Sequence, residues 1–183
     1  MRLTVLAFTL IAMSSLLATS DDTAAQTDFT LCESTYALCT TAPCEPVAGK
    51  PDTVSCTCKV LTAYSAGLEP CQSVKETSEG KQVRSRYSPV KAYAVCTNDR
   101  PWAWCLDKPC VIDKSDPTKA SCACTTVKGQ GPYVIVTDTY TEATCTTGII
   151  SSATVTQIGQ VTDFLKGKSE LPPFPIKVLN RPK

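Results

Sequence analysis

Histidine is missing altogether from this chain of 183 residues. Its absence excludes the Ser-His-Asp and Cys-His arrangements of nucleophilic catalysis. It also excludes most catalytic zinc sites, which use histidine ligands, and any switch based on imidazole protonation. The catalytic options that remain are pairs of carboxylates or a Ser–Lys dyad, and we expect a non-enzymatic protein without a cofactor.

Charge and aromatic side chains are also scarce. Charged residues make up 19% of the chain, aromatic residues 7%, and the formal net charge is +1. Nucleic-acid binding needs a strongly basic domain or stripe, so we expect no nucleic-acid partner. Neither of the two asparagines begins an Asn-x-Ser/Thr acceptor, so N-glycosylation is not expected.

Long apolar runs are missing except at the start of the chain. After Met1-Arg2, residues 3–17 carry no charge, and small residues follow up to Ala25. A membrane-spanning helix needs about 20 apolar residues, whereas the apolar part of a secretory signal is shorter. We predict a signal peptide over residues 1–25, with a short membrane anchor as the alternative. The mature chain is then expected to be secreted or periplasmic, with no transmembrane segment.

Cysteine, by contrast, is abundant: the chain has 12, in two groups of six. The first group is Cys32, Cys39, Cys44, Cys56, Cys58 and Cys71, and the second is Cys96, Cys105, Cys110, Cys122, Cys124 and Cys145. In an oxidising compartment an even number of cysteines predicts disulfides. A free thiol, a bridge between chains or a metal-thiolate site are the alternatives, and we predict no metal site.

The middle four cysteines of each group have the same spacing, C-x4-C-x11-C-x-C, at a constant offset of 66 residues. Their neighbours share that offset, for example Ser55 with Ser121 and Pro43 with Pro109. This pattern predicts a duplicated module. The predicted organisation is a signal peptide at 1–25, a first module at 26–73, a polar basic linker at 74–92, a second module at 93–147, and a C-terminal region at 148–183 without a counterpart in the first half.

The predicted fold class is a small disulfide-rich, mainly β protein of two tandem six-cysteine modules, followed by a C-terminal helix and an extended Pro-rich tail. Alternate residues of a strand face the same side, so Cys56 and Cys58 are expected to send two parallel bridges into one layer, as are Cys122 and Cys124. Six cysteines allow many pairings, and the sequence does not choose among them.

Other segments have local patterns of their own. Residues 121–128 and 133–140, separated by a Gly- and Pro-containing turn, predict a β-hairpin. The linker is interpreted as solvated chain, or as a basic segment touching an anionic surface. In the C-terminal region, apolar residues at helical spacing between Val155 and Leu165 predict a helix that Gly167 ends. The segment 171–176 then packs back on the chain or serves as a docking peptide.

Three large side chains are candidates for contact with a partner: Trp102, Trp104 and Phe174. Tryptophan often anchors an interface. The 66-residue offset, however, places Trp102 and Trp104 opposite Tyr36 and Leu38, which favours a shared role in the core.

The expected function is therefore binding or interaction outside the cytoplasm, with an extracellular or periplasmic protein or a glycan as the partner. A protease inhibitor that presents a rigid exposed loop between cysteines is one alternative. A small hydrolase is the other, and it would need carboxylates from different segments, such as Asp113, Asp116, Asp138 and Glu142, to converge in a cleft.

Overall fold

The computed structural model describes residues 28–180, so the predicted signal peptide lies outside the described part. The strands are β1 (Thr30–Leu38), β2 (Pro43–Val47), β3 (Lys50–Gly67), β4 (Lys75–Thr77), β5 (Gly80–Arg84), β6 (Ala92–Cys96), β7 (Trp102–Trp104), β8 (Pro109–Ile112), β9 (Lys119–Val127), β10 (Tyr133–Val136), β11 (Ile149–Ile150) and β12 (Lys177–Val178). A 3-10 helix covers Glu142–Cys145, and α1 covers Val155–Lys166. Strands β6, β10 and β12 form a three-stranded sheet, and the other nine form a larger one. The mainly β, disulfide-rich fold class is confirmed.

All 12 cysteines form disulfides, as predicted. The first six pair as Cys32–Cys71, Cys39–Cys58 and Cys44–Cys56, and the second six as Cys96–Cys145, Cys105–Cys124 and Cys110–Cys122. Each set is nested, with the first cysteine bonded to the sixth, the second to the fifth and the third to the fourth. Both cysteines of each C-x-C segment bond into one buried layer, because alternate residues of β3 and of β9 face the same side.

The two halves meet along β3 and β9, which pair in antiparallel register with Cys56 opposite Cys122. These cysteines are 66 residues apart, as are Ser55 and Ser121, whose hydroxyl oxygens lie 2.9 Å apart. Each strand therefore meets its own counterpart, and an approximate two-fold axis passes between them. The relation matches that of an isologous dimer, in which the same surface is used by both partners.

One row of side chains crosses six strands of the larger sheet and holds its centre together. In spatial order the row is Ile149, Cys44, Cys56, Cys122, Cys110 and Val83. The four cysteines of the row are at most 7% exposed. Sulfur atoms of the two halves also touch beneath the sheet, where Cys39 Sγ lies 3.3 Å from Cys122 Sγ. The centre of the molecule is therefore packed mainly with disulfides.

In each half, the second strand after the central one pairs with a strand of the other half. β5 pairs with β8, which places Val83 opposite Cys110, and β11 pairs with β2, which places Ile149 opposite Cys44. Val83 and Ile149 are themselves 66 residues apart. The two crossings are therefore equivalent, and each half completes the sheet of the other.

The structure corrects the interpretation of residues 74–92 as a solvated linker. This segment contains β4 and β5, and Ser85, Arg86, Tyr87 and Val90 are all buried. The segment resembles a linker in sequence because it has no cysteine and few apolar residues, yet most of those few, such as Val83, face inward. Residues 148–153 are likewise not without a counterpart, because they occupy positions equivalent to 82–87.

The predicted hairpin over residues 121–140 is wrong. β10 pairs with β6 in the smaller sheet, with Val134 opposite Val95, and does not pair with β9. Tyr133 and Ile135 pack with Trp102 and Cys96 in a separate cluster, which draws β10 away from the larger sheet. The turn at 129–132 therefore joins two sheets.

The predicted C-terminal helix is confirmed as α1. Thr154 caps it, accepting a hydrogen bond from Gln157 N (3.2 Å), and Gly167 ends it. Its buried face, which includes Ile158, Val161 and Leu165, packs in one cluster with residues of the smaller sheet and the Pro-rich segment. Within the described part of the chain, no helix has the length and apolar character needed to cross a membrane.

A buried ion pair lies where the crossing segment meets the second half. Arg86 Nη1 is 3.5 Å from Asp107 Oδ1, and the two side chains are 3% and 10% exposed. Arg86 Nη2 donates to Thr30 O (2.6 Å), and Leu68 N donates to Asp107 Oδ2 (2.7 Å). Burial raises the pKa of Asp107 and lowers that of Arg86. Removing one partner would leave the other as an uncompensated buried charge.

We predict that Asp107→Asn lowers the free energy of unfolding by about 3 kcal/mol, because Arg86 loses its counter-ion. Asparagine tolerates the positive φ of 56° at this position, so the backbone is not strained, but the change removes the charge and one of the two accepting oxygens together. Urea denaturation measures the effect. The control is Thr41→Asn at the counterpart position, where φ is 64°; it loses the hydrogen bond from Thr41 Oγ1 to Val136 O, so a change of about 1 kcal/mol is expected. Equal losses in the two variants would contradict the prediction.

Limited reduction should open the two outer disulfides before the four central ones. Cys71 is exposed and Cys145 is partly exposed, whereas the eight central cysteines are buried. Exchange requires a thiolate to reach a disulfide sulfur, so access controls the order. Alkylation followed by peptide mass spectrometry reads that order directly. Early labelling of Cys39 or Cys122 would show that the central layer is more open than the structure indicates.

Candidate functional site

The structure places the three candidate contact residues mostly in the interior. Trp102 is 3% exposed and stacks on Tyr133 with 6.2 Å between ring centroids, and Phe174 is 9% exposed. Trp104 is partly buried, and Lys108 Nζ lies 5.4 Å from its ring centroid. Tyr36, the counterpart of Trp102, is also buried at 1%. Trp102 is therefore largely enclosed, whereas Phe174 lines a groove beside the end of α1.

Asp113 and Asp116 do not share a cleft with Glu142. Asp113 and Asp116 lie in the turn between β8 and β9, where hydrogen bonds from Ser115, Thr118 and Lys119 occupy them. Glu142 lines a separate cleft in the second half. The paired carboxylates of a glycosidase, by contrast, flank one bond. This separation weakens the hydrolase interpretation.

A cleft with both polar and apolar lining lies beside the 3-10 helix. It has a volume of about 300 Å³ and is lined by Val95, Thr97, Asn98, Tyr140, Glu142, Cys145, Thr146 and Asn180. Three segments build it: the end of β6, the excursion that follows β10, and the residues after β12. Small-molecule sites of proteins commonly begin at about this volume.

Both asparagines of the chain lie in this cleft, and hydrogen bonds fix both amides. Asn180 accepts from Val95 N (2.7 Å) and donates to Val95 O (2.9 Å). Asn98 donates to Cys145 O (2.9 Å) and accepts from Tyr133 Oη (3.0 Å). Each amide nitrogen keeps a second hydrogen that these bonds do not use. The walls are therefore held in place while donors remain for a ligand.

The floor of the cleft is covalently fixed. Cys145 bonds to Cys96, which joins the 3-10 helix to β6. Thr141 N donates to Thr144 Oγ1 (3.0 Å) at the start of that helix and holds its first turn. Tyr140 and Glu142, on either side of Thr141, are exposed, and Tyr140 is 41% exposed. An aromatic ring and a carboxylate thus stand on a rigid base.

The cleft combines an aromatic ring, a carboxylate, two amides and the hydroxyls of Thr97 and Thr146. Amides, hydroxyls and carboxylates together donate and accept hydrogen bonds in several directions. The ring adds an apolar face with a polar tip. This set suits a small ligand that carries many hydroxyls and an apolar face.

The described chain has other concavities, among them one of about 470 Å³ between the β4–β5 hairpin and the 113–118 loop. A cavity between the two halves, lined in part by Cys39, Cys105 and Arg86, holds about 10 Å³, no more than one water molecule needs. A groove of about 670 Å³ between the end of α1 and the Pro-rich segment is mostly apolar. Its cations are Lys166 and Lys168, and Lys168 already lies 4.2 Å from the ring centroid of Phe164.

Sulfur atoms form the groups that are close enough to share a metal ion in the described chain. These groups are Cys39 with Cys58 and Cys122, and Cys39 with Cys105 and Cys124. Every one of these sulfurs is bonded in a disulfide. A metal needs thiolates, so these sulfurs cannot ligate one in the oxidised protein.

Comparisons with protein-family models, with curated proteins and with solved structures find no match for this chain. The site must therefore be interpreted from its own geometry.

Sequence reasoning named Glu142 only as a catalytic candidate and did not select Asn98, Tyr140 or Asn180. One signal pointed to them: the chain has just two asparagines, and Asn98 follows Cys96 closely. A second was the 20-residue spacing between Cys124 and Cys145, against 12 between Cys58 and Cys71. The added chain forms the floor and one wall of the cleft.

An NMR-monitored pH titration of the Asp116 side chain should give a titration midpoint at about pH 2, because hydrogen bonds from Lys119 and Thr118 lower the pKa of this carboxyl group. A lowered pKa stabilises the fold above the ordinary value of about 3.9, and this contribution is lost as the pH falls from there towards 2. Lys119→Met should return the midpoint towards the ordinary value. An unchanged midpoint in that variant would contradict the assigned cause.

Proposed function

We propose that this protein is a non-enzymatic binding protein of the extracellular or periplasmic space, and that its cleft beside the 3-10 helix binds a neutral saccharide. The observation that carries the proposal is the combination of the Tyr140 ring with the fixed amides of Asn98 and Asn180 in one concavity. Saccharide hydroxyls both donate and accept hydrogen bonds, as these groups require. The apolar C–H face of a sugar ring can lie against the exposed ring of Tyr140.

The place of the cleft in the molecule supports this function. The residues that the two halves have in common form the disulfides and the central sheet. The cleft uses the longer excursion before Cys145 and the end of the C-terminal region, to which the first half has no equivalent. A binding site is expected where the two halves differ, because the shared residues are engaged in holding the fold together.

The rigidity of the cleft supports binding in particular. The Cys96–Cys145 disulfide and the bonds of both asparagines hold its walls before a ligand arrives. A site ordered in advance loses less conformational entropy on binding. Six disulfides also fit an oxidising compartment, which is where extracellular glycans are found.

The test is titration of the full chain with a panel of neutral oligosaccharides, followed by NMR and calorimetry. We expect Tyr140→Ala to weaken binding tenfold or more, a loss of at least about 1.4 kcal/mol, because the ring supplies the apolar contact. The control is Tyr64→Ala on β3, outside the cleft, which should bind as the unmodified chain does.

Two results would count against the proposal. One is the absence of chemical-shift changes at Asn98 and Asn180 with every saccharide of the panel. The other is equal binding by the Tyr140→Ala and Tyr64→Ala variants, which would place the ligand elsewhere.

A further inference from the structure

The loop between β8 and β9 is closed at its base by a disulfide and a strand ladder. Cys110 and Cys122, which face each other in the ladder, are bonded and fully buried. Above them, Asp113 N donates to Lys119 O (2.9 Å), and Lys119 N donates to Asp116 O (2.9 Å). The 113–118 loop therefore projects from the most rigid part of the molecule.

Side chains within this loop fix its conformation. Asp113 Oδ1 accepts bonds from Ser115 N (2.7 Å) and Ser115 Oγ (2.7 Å). Asp116 Oδ1 accepts from Thr118 Oγ1 (2.5 Å), and Lys119 Nζ lies 2.8 Å from Asp116 Oδ2. Bonds of this kind replace backbone bonds in turns and restrict the loop to one shape. Both carboxylates are consequently engaged inside the loop.

Lys114 is the unpaired charge of the loop. It is exposed, and among residues 28–180 the structure gives its ammonium no ion-pair partner. The side chain extends past the β4–β5 turn, where Gly80 leaves room for its Cε. Ser115 follows it and Pro117 lies three residues on. Lys114 lines a cleft together with Glu76 and Lys81 of the β4–β5 hairpin. The loop thus presents one cation without an ion-pair partner among the described residues, followed by a small residue, on a hydrogen-bonded backbone.

The counterpart loop of the first half is built differently. It lies between Cys44 and Cys56, which are also bonded, and carries Lys50 at the equivalent of Asp116. Within the described chain Asp52 makes none of the side-chain bonds seen in the 113–118 loop, and the residue after Lys50 is proline. The two loops have equal length and both are closed by a disulfide. They differ in their internal hydrogen bonds and in the position of the lysine.

We propose that the 113–118 loop is an inhibitory loop for a serine protease with an acidic specificity pocket, with Lys114 as the residue that enters the pocket. A trypsin-like pocket carries a carboxylate at its base, which complements a lone ammonium. A loop held rigid before binding loses little entropy in a protease cleft, which is how small inhibitors of standard interface size reach high affinity. The inhibition involves no covalent step. This function uses a different surface from the proposed saccharide cleft.

The experiment measures inhibition of trypsin by the full chain, with chymotrypsin in parallel. The unmodified chain is expected to inhibit trypsin at micromolar concentration or below. Lys114→Ala should weaken this inhibition about 30-fold or more, as expected when a central anchor residue is truncated. Lys114→Phe should transfer inhibition to chymotrypsin, whose pocket is hydrophobic.

The controls use other positions of the same chain. Lys50→Ala, in the counterpart loop, and Tyr140→Ala, in the saccharide cleft, should both inhibit trypsin as the unmodified chain does. Intact mass showing six disulfides, together with an unchanged circular dichroism spectrum, establishes that each variant is folded. Because Tyr140→Ala affects only the cleft, failure of the saccharide proposal is distinguishable from failure of this one.

Three results would overturn the proposal. The unmodified chain fails to inhibit trypsin, the Lys114→Ala variant inhibits as strongly as the unmodified chain, or trypsin cleaves the Lys114–Ser115 bond at the rate of an unfolded substrate. The last result would show that the loop is exposed but not held as an inhibitor requires.

Discussion

The antiparallel pairing of β3 with β9 is the interaction on which the rest of the structure depends. It places Cys56 opposite Cys122, each bonded to a cysteine on the next strand outward, so that four cysteines stand in one row across the sheet. This pairing also joins the two halves into one sheet, to whose outer strands β2 and β8 the crossing strands β11 and β5 are added. Each half also has too few residues for an ample apolar core, and disulfides substitute for part of it.

Exchange of β5 and β11 makes the two halves mutually dependent. Each of these strands is adjacent in sequence to one half and is bonded to the other, so unfolding of one half would expose the sheet edge of its neighbour. The buried pair of Arg86 and Asp107 lies on the same crossing and adds an electrostatic requirement for correct docking. The arrangement resembles a strand-exchanged dimer whose two subunits have been joined in one chain.

The surfaces in which the two halves differ lie away from the nearly symmetric centre. Both halves contribute equivalent residues to the central row, and those residues are buried. The cleft beside the 3-10 helix and the 113–118 loop lie at positions where the halves differ, one through an added excursion and the other through its carboxylates. The cleft is tied to the outer Cys96–Cys145 disulfide, whereas the 113–118 loop is closed by the central Cys110–Cys122 disulfide.

Short-range pattern was sufficient to predict the disulfides, the shared face of Cys56 and Cys58, the mainly β class and the helix that includes Ile158 and Leu165. These features depend on residue type and on the periods of a strand or a helix. The sequence of residues 74–92 favoured a linker, because the segment has no cysteine and few apolar side chains. Distant segments bury part of it, and local sequence does not show which segments those are.

The cleft was beyond prediction for a related reason, since Asn98 and Asn180 are far apart in sequence and meet only when β12 joins β6. The sequence by itself determined the number of bridges, the equivalence of the halves' cysteine spacing and the local faces of each element. Only the tertiary structure decided the nested pairing, the crossing strands and the cleft. Those depend on which distant segments bury each other's surfaces, and that is settled by packing in three dimensions.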